Sequence, residues 1–157
     1  MAILKIVPGE RYTLAGMIDY IGNTATHDDD ILDENGVYVS NANPLMDMLL
    51  IKKLYNKTGG LQYKQIILSL EEAESIEKNW AGFIAVSEEA ARAIAYITGC
   101  QVAYAVHSNT DNLHTHFVVN SVRFSDGYKI QLNRNTTILM KSVISQILEQ
   151  YAFNPVC

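Results

Sequence analysis

The segment from Val102 to Phe124 constrains the fold of this chain most, because it contains two strand-like stretches separated by a short polar connection. Val102 to His107 and Phe117 to Phe124 have the apolar, β-branched and aromatic composition of buried strands. Residues 108–112, between them, read Ser-Asn-Thr-Asp-Asn, a composition typical of tight turns. We therefore predict a β-hairpin here and an antiparallel pair of strands in the sheet.

The rest of the chain mixes strand and helix patterns. Further strands are predicted at Ile3 to Val7, at Tyr63 to Leu70 and, after a turn at Asp126-Gly127, at Tyr128 to Leu132. Helices are predicted from Thr13 to Ile21, Pro44 to Leu54, Ser87 to Ile97 and Thr137 to Tyr151, and residues 22–43 are predicted to form a long exposed loop. This pattern indicates an α+β fold with a mainly antiparallel central sheet flanked by helices.

Length and composition favour one soluble domain. A chain of 157 residues can bury a real core, and residues 1–157 contain no linker or low-complexity tract. Nothing approaches the roughly 18 apolar residues needed to insert into a membrane, and the N-terminus lacks a signal-peptide pattern. Two cysteines, Cys100 and Cys157, make no disulfide framework. We expect a cytoplasmic protein, and its oligomeric state stays open.

The formal net charge of −5 disfavours a nucleic-acid ligand, because phosphate neutralisation supplies much of the affinity for DNA. Two local groups of cations soften this objection. One includes Lys52, Lys53 and Lys57, and the other includes Arg123 and Lys129. Since charge runs are commonly solvated surface, these groups are weak support for DNA binding, and any affinity is expected to be modest.

Three of the four histidines, His107, His114 and His116, lie within ten residues. Side chains alternate along a strand, so His114 and His116 are expected on one face, and the hairpin brings His107 beside them. Isolated histidines and His-x-His pairs are often structural, but a third histidine in hairpin register favours a metal site. Three imidazoles can hold a divalent ion as a Lewis acid, and they suit zinc among others.

The stretch from His107 through His114-Thr115-His116 to Val122 resembles the three-histidine motif of mobilisation and conjugative relaxases, in the HUH endonuclease superfamily. Three further segments resemble that family in the same order: Ile18-Asp19-Tyr20-Ile21, residues 57–63 with the strand ending at Ser69, and residues 124–129. The resemblance implies an HUH-endonuclease (ferredoxin-like, Rep-like) architecture. It also implies that residues 1–157 form a relaxase domain at the N-terminal part of a longer protein.

The resemblance assigns the chemistry as well. It implies that Tyr20 attacks single-stranded DNA at an origin of transfer and forms a 5′-phosphotyrosyl intermediate, in the transfer of a plasmid or transposon. His107, His114 and His116 would hold the divalent metal, Mg²⁺ or Mn²⁺ first and Zn²⁺ second. Accessory and coupling proteins of a transfer machinery are the implied partners.

Further residues are expected to bind DNA or to orient a metal ligand: Asn109, Asn120, Lys57, Arg123 and Lys129. The chain departs from the family at Asn109, where aspartate is common, and at Gln65, where histidine is common. Loss of the carboxylate at position 109 is expected to weaken the orientation of an imidazole.

Two other functions compete with the nickase interpretation. One is a catalytically degenerate HUH-fold module that binds DNA, like a replication initiator, whose binding would survive Tyr20→Phe without any metal-dependent cleavage. The other is a small-molecule hydrolase with a three-histidine zinc site, which would purify with stoichiometric zinc and ignore single strands.

Overall fold

The computed structural model describes residues 1–22, 31–40, 42–76, 79–108 and 110–157. The strands in these ranges are β1 (Ile3–Val7), β2 (Ile31–Val37), β3 (Tyr63–Ser69), β4 (Cys100–His107) and β5 (His114–Arg123). The helices are α1 (Leu14–Ile21), α2 (Pro44–Leu54), α3 (Glu72–Ile76), α4 (Trp80–Thr98) and α5 (Arg134–Gln150).

One five-stranded sheet, in the order β1-β3-β5-β4-β2, is the centre of the described fold. Every pairing in it is antiparallel. The predicted hairpin is its middle, since β4 pairs with β5 and places His107 opposite His114. The predicted α+β class with an antiparallel sheet is therefore confirmed.

The two faces of the sheet pack against different helices. One face joins α4 and α5 in the larger core, which includes Phe83, Ile144 and Phe117. The other face carries a smaller core in which Met17 of α1 and Met48 of α2 pack with strand residues. The alternation of side chains along β5 therefore separates the larger core from the face that bears the histidines.

Helix α1 begins where the sequence predicted. The Thr13 hydroxyl accepts a hydrogen bond from the Gly16 backbone N–H, as expected of an N-cap, and Leu14, Met17 and Ile21 are buried. Because these three residues fix the face of α1 that meets the sheet, Tyr20 in the last turn lies on the adjacent, exposed part of the helix.

The loop predicted at residues 22–43 was wrong in part, since residues 31–37 form β2 at the sheet edge. Its central Asp33-Glu34-Asn35-Gly36 lacks the residue types enriched in strands. Pairing with β4 stabilises the extended conformation of β2, because it satisfies the backbone hydrogen-bonding groups of both strands. Residues 23–30 and 41, which belong to the same predicted loop, lie outside the described residues.

Two other boundaries differ from the predictions. Helix α4 begins at Trp80, after an N-cap at Asn79, and Ser87 is a buried residue of its interior whose hydroxyl donates to the Phe83 carbonyl. The strand predicted at Tyr128 to Leu132 is reduced to an isolated bridge between Lys129 and Val122. In the described part of the chain, no helix has the length and apolar character that crossing a membrane requires.

Candidate metal and nucleophile site

The three clustered histidines meet at one end of the sheet, on its α1 face. The ring centroids of His107 and His114 are 5.5 Å apart, and each lies 4.9 Å from that of His116. One nitrogen from each ring lies within 4.8 Å of the others. Nitrogens bound to one tetrahedral ion at about 2.1 Å are about 3.4 Å apart, so small side-chain rotations that close these separations by up to about 1.4 Å would bring all three onto a single ion.

Backbone carbonyls orient two of these imidazoles. The Nε2 atom of His107 donates to the Ile21 carbonyl over 2.7 Å, and Nδ1 of His114 donates to the Asn112 carbonyl over 2.8 Å. A carbonyl only accepts, so each bond fixes which nitrogen carries the proton. The metal-binding atoms would then be Nδ1 of His107 and Nε2 of His114.

A side chain orients the third imidazole. The Nε2 atom of the Gln65 amide lies 2.9 Å from Nδ1 of His116, and both residues are buried. An amide nitrogen only donates, so Nδ1 accepts in this arrangement. Turning the amide by 180° would instead present its oxygen to a protonated Nδ1 and leave Nε2 of His116 to bind an ion. Glutamine at this position therefore keeps a hydrogen-bond partner for His116.

The protonation state of His116 suits a metal ligand. Burial, and after it the neighbouring His114 and His107, lower the pKa of His116 to about 3. The neutral imidazole is the form that binds metal. His116 is therefore a neutral imidazole at neutral pH.

This shift predicts how acid affects the metal-free protein. The pKa of His116 falls from an ordinary value of 6.5 to about 3 on folding, so its contribution to stability is present above pH 6.5 and is lost as the pH falls toward 3. One such group changes the free energy of unfolding by up to about 1.4 kcal/mol per pH unit. Urea denaturation in EDTA should show that the free energy of unfolding falls less steeply with decreasing pH in His116→Gln than in the wild-type protein. Equal pH dependences in the two proteins would contradict the prediction.

Tyr20 lies beside the histidines at the end of α1. Its ring centroid is 6.0 Å from that of His116, in an edge-on arrangement, and the side chain is 47% exposed. The Tyr12 ring stacks on Tyr20 with centroids 5.4 Å apart and planes 19° apart, and the Arg11 guanidinium lies 5.5 Å from the Tyr12 centroid. Tyr20 is thus held against rigid neighbours while its exposed part stays open to a large ligand.

Helix α1 connects the tyrosine to the histidine cluster. Tyr20 and Ile21 are consecutive, and the Ile21 carbonyl accepts the bond from His107. A shift of the last turn of α1 would therefore move the tyrosine and disturb one imidazole together. Sequence reasoning missed this contact because a backbone acceptor has no residue-type signature.

Asn120 lies away from the histidines. Its Nδ2 atom donates to the Met48 carbonyl over 3.2 Å and to Gln101 Oε1 over 2.9 Å, and the residue is fully buried. Four residue steps along β5 lead from His116 to Asn120, which is about 13 Å. Its amide therefore joins α2 to the sheet, and these contacts give no support to the predicted role in orienting a metal ligand or contacting DNA, which stays a prediction.

The predicted cations lie far from the histidines. Lys57, Arg123 and Lys129 meet at the opposite end of β5, where they line a common pocket. Lys52 cannot contact a ligand, because it is fully buried and its ammonium donates to the Gln62 carbonyl and the Ser121 hydroxyl. Asn109 lies outside the described residues.

The Gln65 contact gives a testable prediction. Gln65→Leu should lower the affinity for Mn²⁺ by 10- to 100-fold, because His116 loses the partner that sets its proton and ring orientation. Gln65→His should stay within a few-fold of wild type. Gln101→Leu is the matched control, since Gln101 is equally buried but bonds to the Tyr38 carbonyl and to Asn120. Isothermal titration with Mn²⁺ measures all three, and equal losses in Gln65→Leu and Gln101→Leu would contradict the assignment.

Comparison with known proteins identifies the family of the chain. The family model "Relaxase: MobA/VirD2-like, nuclease domain" matches residues 20–153, which include the three histidines. Protein rlx of Staphylococcus aureus is 30% identical over 99 residues, which are 63% of this chain and 29% of that protein. The chain thus aligns with less than a third of that relative.

A solved structure from work on the molecular basis of vancomycin resistance transfer in Staphylococcus aureus has a similar fold. Its TM-score is 0.57 at 14% identity, over 81% of this chain and 75% of that one. The family match covers most of the chain, and the chain therefore belongs to the MobA/VirD2-like relaxase nuclease domain family.

Proposed function

We propose that this chain is the DNA-nicking domain of a relaxase, which cuts one strand at an origin of transfer and retains its 5′ end on Tyr20. The observation that carries the proposal is the position of Tyr20, exposed in the last turn of α1 with its ring 6.0 Å from His116 in the three-histidine cluster. Membership of a relaxase nuclease family supports the same conclusion.

The donor set fits a divalent metal. His107 and His114 each donate from one nitrogen to a carbonyl, and a turned Gln65 amide would accept from Nδ1 of His116, so each ring has a second nitrogen that could bind an ion. An ion held there supplies charge neutralisation at a phosphate and fixes its orientation. We propose Mn²⁺ or Mg²⁺, with Zn²⁺ as the alternative that three imidazoles also suit.

The residues of the chain carry the transesterification. The Tyr20 hydroxyl gives up its proton and its oxygen bonds to phosphorus, while the bond from phosphorus to the 3′ oxygen breaks and that oxygen leaves as a hydroxyl. The stacked Tyr12 ring restricts the Tyr20 side chain, which lowers the entropic cost of alignment. One phosphorus–oxygen ester bond forms as another breaks, so the reverse reaction can rejoin the strand.

The degenerate binding module is the weaker alternative. A degenerate site would have no need to hold three imidazoles by separate hydrogen bonds beside an exposed tyrosine, and this chain does so. Because the chain aligns with only 29% of Protein rlx, contacts with accessory and coupling proteins of a transfer machinery are part of the proposal for the whole protein.

A gel assay tests the nickase proposal. The protein is incubated with Mn²⁺ and labelled single strands that tile the noncoding DNA beside its gene, and the products run on a denaturing gel. A labelled band that migrates with the protein, and that EDTA prevents, is the expected result. Strand binding without any adduct across all tiles would favour the degenerate module.

A further inference from the structure

We propose that the end of the sheet opposite the histidines is a second nucleotide subsite, which grips the same DNA strand through Lys57, Arg123, Lys129 and Tyr128. The inference rests on the proposed nickase function, because it takes single-stranded DNA as the ligand. It adds a distinct contact point, remote from the cleavage site, to which the strand binds by its phosphates and by one base.

The subsite is an open pocket of about 530 Å³ beyond the end of β5. The end of α4 and the start of α5 form one side of this pocket, Arg123 ends β5 beside them, and Lys57 follows α2. The connection between β5 and α5 contributes Tyr128, Lys129 and Gln131. A pocket of this size accommodates a nucleotide, since ligand sites span roughly 300–1,000 Å³.

The lining of this pocket is cationic. Lys57, Arg123 and Lys129 all line it, and no carboxylate is among its described lining residues. Asp126 pairs with Arg123 and offsets one of these charges, so the pocket keeps a local excess of positive charge in a chain whose formal charge is −5. Burial, and after it the nearby Lys129 ammonium, lower the pKa of the buried Lys52 to about 8. A local excess of positive charge raises the concentration of an anionic ligand at the pocket.

Hydrogen bonds fix two of these cations in place. Lys129 donates to the Gly59 and Leu61 carbonyls, which ties the loop that follows Lys57 to the pocket. Arg123 pairs with Asp126 through Nη2 at 3.2 Å, while its buried Nε has no hydrogen-bond partner among the described residues. The Lys129 ammonium and the Arg123 guanidinium are thus held at the pocket by contacts within the chain.

Tyr128 supplies a surface for a base. Its side chain is 69% exposed, and the residue directly follows the tight turn at Gly127, where φ is +75°. The turn is fixed by backbone bonds that join Arg123 to Gly127 and Tyr128. An aromatic ring on a rigid turn beside cations is the combination by which proteins bind single strands without reading their sequence.

The distance between the two sites suits one strand. Nine residue steps of β5 lead from His114 to Arg123, which is about 30 Å at the rise of an antiparallel strand. An odd number of steps puts the two side chains on opposite faces, so a bound strand follows a path longer than this line. The line alone matches about nine phosphates at the 3.4 Å spacing of one strand of a duplex, and fewer in an extended strand. A strand of 18 nucleotides can therefore occupy both sites, whereas one of 4 nucleotides fills only one of them.

Binding of oligo-dT strands to the uncleaving Tyr20→Phe protein tests this inference. Fluorescence anisotropy is measured with labelled dT4 and dT18 between 50 and 200 mM NaCl. The protein should bind dT18 at least about tenfold more tightly than dT4. Tyr128→Ala should remove most of that advantage, since stacking of one base contributes about tenfold or more. Lys57→Gln should make the negative slope of log K against log salt shallower by about 0.7.

Matched controls remove an exposed tyrosine and a lysine elsewhere. Tyr96→Ala on α4 and Lys141→Gln on α5 should leave the dT18 advantage and the salt slope unchanged. The inference is overturned if the advantage is absent, if it survives Tyr128→Ala and Lys57→Gln together, or if the controls lose as much. It is also overturned if free dTMP competes as well as dT18, because the pocket would then serve a free nucleotide.

The outcome for the nickase proposal is separate. A protein that forms the covalent adduct but shows no length advantage keeps the proposed function and loses only this subsite. A protein that shows the advantage but forms no adduct in any tile has a strand-binding surface without the proposed chemistry.

Discussion

Tyr20→Phe is expected to abolish the covalent protein–DNA adduct, whereas Tyr12→Phe forms it at close to the wild-type rate. The loss should exceed about 10³-fold, because phenylalanine has no oxygen to bond to phosphorus and the covalent route then has no nucleophile. Adduct formation is followed on a denaturing gel with a strand that the wild-type protein cleaves.

Tyr12→Phe is a closely matched control for Tyr20→Phe. Their rings stack 5.4 Å apart, so both substitutions alter the same stack and each removes one hydroxyl. Phenylalanine preserves the ring and therefore the contact. An adduct that survives Tyr20→Phe and disappears in Tyr12→Phe would reassign the nucleophile, and survival in both would show that neither hydroxyl attacks the phosphate.

His116→Ala should lower the affinity for Mn²⁺ by more than about 100-fold and adduct formation by at least as much. Loss of an outer hydrogen-bond partner already costs 10- to 100-fold in many metal sites, so loss of a ligand itself should cost more. His116 is also the imidazole whose ring contacts both other histidines and Tyr20. Isothermal titration gives the affinity, and circular dichroism checks that the fold persists.

Thr115→Val is the matched control for this substitution. Thr115 lies between His114 and His116, but its hydroxyl bonds to Ser87 over 2.6 Å on the opposite face of the sheet. The change should affect stability and leave the Mn²⁺ affinity within a few-fold. Unchanged Mn²⁺ binding in His116→Ala would place the metal elsewhere and contradict the assignment of the cluster.

Much of the fold was predictable because its signals are local. The β4–β5 hairpin follows from two apolar strands and a polar turn, and the α1 start follows from the Thr13 cap. Strand β2 was missed because its residues have little strand propensity and it is stabilised by pairing with β4. Tertiary pairing of this kind leaves no trace in a short stretch of sequence.

The site was predictable in part for the same reason. Hairpin register brings three histidines together, and that spacing is visible in the sequence. The Gln65 contact with His116 depends on the β3–β5 register, and the Ile21 carbonyl depends on how α1 packs, so neither was foreseen as a partner. Strand alternation placed Asn120 on a face but could not show that α2 and Gln101 take up its amide.

The most direct test of the account is to identify the residue that carries the DNA. The adduct formed with Mn²⁺ is digested with nuclease and protease, and the modified peptide is sequenced by mass spectrometry. We expect a nucleotide joined through phosphate to Tyr20, in the peptide that contains α1. A nucleotide on any other residue, or cleaved DNA with no modified peptide, would contradict the tyrosine mechanism.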